Sequence, residues 1–280
     1  MSDPVPRIEY ERLPALAGAA WLRDAYRMLS RARLPWLLLL VFYYLVLGII
    51  DVIPYLGQIV APVLKPVFAV GFLAAAWSQE RGGTPELKQL FQGFRSNLWA
   101  LLPLGVVLAV GITLAVLGTA LIDDGKLLDA LSGKVKFDDA LLASDDVQMA
   151  MLFAAVCALP VMLALWFAPA LVVFQDCSAG RALGTSLSAA VANWKAISVY
   201  SLLVFFYGGV VPGIISALIA ALAPSTLAFG IALVVVLPYM ALFIATLHIS
   251  DYVSYRAIFH ANEAHAPGEA AAAPPPPGAA

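Results

Sequence analysis

Six stretches of this sequence stay apolar for longer than an ordinary soluble fold requires: 34–50, 59–77, 98–122, 147–174, 197–222 and 227–247. A helix needs about 20 mostly apolar residues to cross a hydrocarbon core about 30 Å thick, and all six approach or exceed that length. Only one charged residue, Lys65, falls inside any of them. In lipid, with no water for unpaired backbone groups, such segments must be helices or strands of a closed barrel. Barrel strands would alternate apolar and polar residues, whereas these runs are continuous. The sequence therefore predicts an all-α integral membrane protein with six transmembrane helices. Composition agrees: 62% of the 280 residues are apolar and 12% charged, against about half and about a quarter in soluble domains. The 16 basic and 18 acidic residues leave no basic surplus for a nucleic-acid backbone. Cys157 and Cys177 are the only cysteines, so neither a disulfide framework nor a Cys/His zinc site is expected.

Orientation follows from Lys and Arg, which accumulate in cytoplasmic connections. Twelve fall on one side: Arg7, Arg12, Arg23, Arg27, Arg31 and Arg33 before the first run, Arg81, Lys88 and Arg95 after the second, Arg181 and Lys195 after the fourth, and Arg256 after the sixth. The other side holds Lys126, Lys134 and Lys136, set among seven aspartates in an outer loop at 123–146. Both termini are expected in the cytoplasm. The first run starts only at Leu34 and its exit has no small-x-small cleavage pattern, so it reads as an anchor rather than a signal peptide. Three regions result: a cytoplasmic segment at 1–33 carrying an amphipathic helix, a membrane domain at 34–247, and a cytoplasmic end at 248–280. The last includes an Ala/Pro tail, expected to be disordered because it cannot bury a core.

The cytoplasmic connections suggest an internal repeat. From Thr84 the chain reads Thr-Pro-Glu-Leu, a helix-start pattern, and Leu87, Leu90, Phe91, Phe94 and Leu98 then share one helical face. A similar plan begins at Ser178, with Leu183, Leu187, Ala190, Val191 and Trp194 on one face, and a weaker one has Trp21, Leu22, Ala25, Met28 and Leu29. The predicted unit is an in-plane amphipathic helix followed by a helical hairpin, used three times. Trp36, Trp99 and Trp194 stand where the first, third and fifth spans begin, and are expected as interfacial anchors at headgroup level. The plainer role for the short helices is to set the angle of each hairpin, with lipid recognition as the alternative.

Several stretches resemble a family of uncharacterised proteobacterial inner-membrane proteins with six predicted spans. They are Trp166-Phe167-Ala168-Pro169-Ala170-Leu171-Val172, Ala182-Leu183 with Ser186, Asn193-Trp194-Lys195-Ala196, and Ser254-Tyr255-Arg256-Ala257-Ile258-Phe259. The resemblance covers most of residues 20–260 and implies a multi-pass protein of the bacterial inner (cytoplasmic) membrane. In the resembled proteins an acid often stands where this chain has Ala257, so a role for that acid does not pass to this chain.

No catalytic pattern emerges. H-E-x-x-H, G-x-S-x-G, the P-loop and G-x-G-x-x-G are all missing from the sequence. His248 and Asp251 share a helix face, which reads as an interfacial contact before it reads as a metal or acid–base site. Lys65 sits about 9 Å into the second span at 1.5 Å per residue, on the side where Asp51 ends the first. An Asp51–Lys65 ion pair joining the first hairpin is the expected reading, with a transport or proton-relay role as the alternative. Pro62, Pro66, Pro103, Pro160, Pro169, Pro212 and Pro238 interrupt every span but the first. They read as ordinary membrane prolines, with transporter hinges as the alternative. Gly209 and Gly213 form a G-x-x-x-G that reads as close packing, with oligomer contact as the alternative. The aspartates of the outer loop lack calcium-loop spacing.

The expected function is a non-enzymatic inner-membrane component without catalytic residues, metal or cofactor, interacting with membrane lipid, another copy of itself or a membrane protein partner. The alternatives are a small permease for an apolar or amphipathic substrate and, further off, an intramembrane enzyme.

Overall fold

A computed structural model of the chain describes residues 8–53 and 56–260; the Ala/Pro tail lies outside them. Among the described residues there are helices and no strand. Helix α1 (Ala17–Arg31) precedes α2 (Arg33–Asp51) and α3 (Leu56–Glu80); α4 (Gln92–Arg95) is one turn, and α5 (Leu98–Gly118) leads into the outer loop. That loop folds as three short helices, α6 (Ala120–Asp123), α7 (Lys126–Leu131) and α8 (Asp139–Leu142). Then come α9 (Asp145–Trp166), α10 (Ala168–Phe174), α11 (Ala179–Ala192), α12 (Trp194–Phe205), α13 (Val211–Leu222) and α14 (Ser225–Phe259). Six segments are long and apolar enough to cross a membrane: Arg33–Asp51, Ile59–Glu80, Leu98–Asp123, Asp145–Phe174, Trp194–Leu222 and Leu227–Phe259. The fold is all-α with six membrane-crossing helices. The 35 residues of α14 reach about 50 Å at 1.5 Å per residue, well beyond the hydrocarbon core, so the helix continues past the expected end at 247.

Of the three segments before the spans, two form as helices and the one at 84–97 does not. In α1, Trp21, Ala25 and Leu29 are buried, on the expected stripe. Between 84 and 97 there is a 3-10 turn, Leu87–Phe91, followed by α4, and the turn starts on a capping box between Glu86 and Gln89 rather than at Thr84. Close packing on α3 explains the broken helix. A Cβ on Gly93 would lie 2.0 Å from the Val67 carbonyl oxygen, and one on Gly71 would lie 2.5 Å from Leu90 Cα. Helix α11 buries Ala182, Ser186, Ala189 and Ala190, while Leu187, Val191 and Trp194 are exposed. Its bulky stripe therefore faces outward, because the small and polar face is the one that can approach the other helices closely.

Of the seven span prolines, Pro62, Pro66, Pro103, Pro160 and Pro238 sit inside helices that continue through them. Only Pro169 and Pro212 stand at irregularities, the α9–α10 break and a π-helical turn at Phe206–Val210. The outer loop is closed by Asp123, which is buried and accepts hydrogen bonds from Gly125 N at 3.0 Å and Leu127 N at 2.8 Å. Among the described residues no three of His, Cys, Asp and Glu gather as a metal site.

Candidate functional site

The residues that carry the family resemblance converge on one end of the bundle. Pro169 cannot continue the helix of α9, and Ser186 fills the gap: its hydroxyl accepts from Phe167 N at 3.0 Å and donates to Leu163 O at 2.9 Å, replacing the backbone bond that would join those two groups. Asn193 accepts from Leu13 N at 2.8 Å and donates to Glu11 O at 2.9 Å, holding the N-terminal segment down; Glu11 N in turn donates to Ile258 O. Tyr255 stacks on Phe174 at 5.4 Å, and Phe259 meets Phe167 edge-on at 5.6 Å. Arg256 lies 3.4 Å from Glu80, which also accepts the Tyr252 hydroxyl hydrogen bond. These contacts join α3, α10, α11 and α14, and such a hydrogen-bonded network fixes one arrangement of them.

The residues singled out in the sequence separate. Trp36 is fully buried and its indole donates to Gln79 Oε1 at 2.7 Å, while Gln79 Nε2 donates to Met28 O. Its ring thus belongs to the protein core, where no headgroup reaches it; Trp99 and Trp194 are exposed. Asp51 and Lys65 are both exposed, and the ion pairs within 4 Å among the described residues do not include one between them. His248 turns to α3 and stacks on Phe72 at 3.9 Å, with Tyr43 edge-on; it makes no ion pair with Asp251 among these residues. A Cβ on Gly213 would meet nothing within 4 Å and one on Gly209 only Phe205 of its own helix, so the G-x-x-x-G face is not used inside the chain.

A different place has the shape of a binding site. A half-open cavity of about 840 Å³ lies between α1, α12 and α14, within the 300–1,000 Å³ typical of ligand pockets. Leu16, Leu22, Leu203, Leu242 and Phe243 make it apolar, and Arg23, Tyr207, Tyr239 and Thr246 supply its polar groups. One wall is the π-helical turn. Pro212 has no N–H to offer to the carbonyl four residues before it, and the Gly208-Gly209 pair lets the backbone unwind locally, so the chain takes the wider turn. Tyr239 donates to the Tyr207 carbonyl at 2.5 Å and closes this wall against α14. A Cβ on Gly208 would come within 2.6 Å of the Phe243 ring, so the glycine makes room for that ring. Sequence reading missed the site because its walls come from three distant segments. The Gly208-Gly209 pair followed by Pro212 was the one local signal.

No family model matches the chain, and no solved structure matches it. A probable inner membrane protein of Burkholderia thailandensis is 31% identical over 259 residues, covering 90% of this chain and 94% of the relative. At that identity and coverage the chain belongs to the same family of inner-membrane proteins as this relative.

Proposed function

We propose that the protein is a non-enzymatic component of the bacterial inner membrane, with both termini in the cytoplasm, that binds membrane lipid in the groove between α1, α12 and α14. The observation that carries this reading is the groove itself: about 840 Å³, apolar along most of its wall, and half open to the surface of the helix bundle. An acyl chain gains there the close contacts that a loose lipid shell does not supply. The outward-facing Leu187, Val191, Trp194 and Trp99 support the same role at the surface.

Photolabelling in membranes with a phospholipid carrying a diazirine on its acyl chain tests it. Labels concentrated on 16–26, 203–207 and 239–246 are expected; labels spread evenly over the exposed faces of α5 and α9 would overturn the groove reading. For the orientation, a periplasm-active reporter fused after Ala280 is expected to be silent, and activity would reverse the topology. A small permease for an apolar substrate is the second reading, favoured by the π-helical turn at the groove wall, since such turns occur often at functional sites.

A further inference from the structure

The polar groups of the groove are not evenly spread. Arg23 is its only charged lining residue among the described ones, and Tyr26 stands one turn further along the same helix. Arg23 Nε lies 3.1 Å from Asp24 Oδ1, and Arg27 reaches the same oxygen at 3.2 Å. One carboxylate is thus shared by two guanidinium groups, and Arg31 adds a further positive charge at the end of the helix. A guanidinium carries five N–H donors in a fixed fork suited to phosphate, and Asp24 engages one of those of Arg23. The groove therefore presents apolar walls with an excess of positive charge beside them.

From this charge complementarity we infer that the groove is a site for an anionic phospholipid, with the phosphate on Arg23 and one acyl chain along Leu22, Leu203, Leu242 and Phe243. The inference rests on the lipid reading of the groove and adds the headgroup class to it. A zwitterionic lipid brings its own ammonium to the phosphate and has no need of the surplus arginine charge; a lipid of net negative charge does.

Native mass spectrometry of the full chain in detergent, with phosphatidylglycerol or phosphatidylethanolamine of identical acyl chains, tests both levels. Wild type is expected to favour phosphatidylglycerol about fivefold, the ratio corresponding to one arginine near a lipid surface. Arg23→Gln is expected to lose that preference and still bind both lipids at the phosphatidylethanolamine level. Ala20→Trp, or Leu203→Trp should the first fail to give monodisperse protein, fills the groove and is expected to lose both. No preference in wild type, or a preference that survives Arg23→Gln, overturns the headgroup inference and leaves the groove reading standing. Wild-type binding by the filled variants overturns the groove reading itself.

Discussion

The second and sixth spans are both strongly apolar, with mean hydropathy of 2.0 and 2.6, yet the protein treats them oppositely. In the most apolar stretch of the second, 61% of the residues are buried against other helices; in that of the sixth, none are, and in the fifth 6% are. Within a bilayer, lipid tails are as apolar as leucine, so hydrophobicity alone does not draw helices together; close approach of backbones does. The second span has that approach. Gly105 of α5 and Gly93 both abut carbonyls of α3, where a Cβ would come within 2.0 Å of Val63 O and Val67 O. In the outer part of the fifth and sixth spans Gly213 and Gly230 meet nothing within 4 Å, and Phe229, Val234 and Leu237 face outward. The packed part fixes the fold, while most of the apolar surface of the hairpin of the fifth and sixth spans faces outward.

The largest expected contrast is between aromatic residues in the two parts. Trp36→Ala removes a fully buried ring and leaves Gln79 without its donor, and is expected to cost about 4 kcal/mol. Phe229→Ala, at a side chain 79% exposed, is expected to change stability by less than about 0.5 kcal/mol. Unfolding in mixed micelles titrated with SDS measures both, and equal losses would erase the contrast. Glycines give the next step. Gly105→Ala forces α3 and α5 apart and is expected to cost about 3 kcal/mol, whereas Gly213→Ala is expected to be neutral or stabilising by about 0.5 kcal/mol, as alanine is in an open helix position. A smaller effect, about 2 kcal/mol, is expected for Ser186→Ala, which strands the buried Phe167 N–H and the Leu163 carbonyl. Its local character is checked by hydrogen exchange, which should rise at 163–170 and not along α13.

Sequence reasoning reached the spans because their signal is local: a run of apolar residues states its own environment. It did not reach which face of a span meets protein. The apolar stripe Leu183, Leu187, Ala190, Val191 and Trp194 marks an amphipathic helix but not what covers each face; Ser186 and Asn193, whose partners lie 19 and 180 residues away, turn the small and polar face inward. Trp36 shows the same limit, since tryptophan suits both an interface and a core and only Gln79, 43 residues on, decides between them. Pro169 and Pro62 are alike in sequence; one marks a break and the other does not, because neighbouring segments determine whether the freed carbonyl finds a partner. The groove was illegible for that reason as well, needing α1 laid against α12 and α14.

The outer ends of the hairpins sharpen the comparison further. The third and fourth spans are closed by the folded loop, with Asp123 buried beneath it and Lys126 donating to Asp146 at 2.8 Å; the fifth and sixth are joined by the short stretch between Leu222 and Ser225. The hydrogen bond to Asp146, and then that group's charge, push the Lys126 ammonium above the ordinary lysine value. A cation whose pKa is raised by folding contributes its stabilisation fully below the unfolded value and loses it as pH rises through the folded one. The pair is therefore complete at neutral pH and disappears only in alkali beyond the usual lysine range. Because both side chains are solvated, its effect is the smallest of these. Lys126→Gln is expected to lower the SDS midpoint only slightly at pH 7, with the difference from wild type shrinking in high salt and vanishing above the lysine range. A loss at pH 7 as large as that of Ser186→Ala would mean that the ion pair, rather than the buried Asp123 cap, holds the loop closed, and that this end of the bundle depends on charge where the end around Ser186 and Asn193 depends on packing.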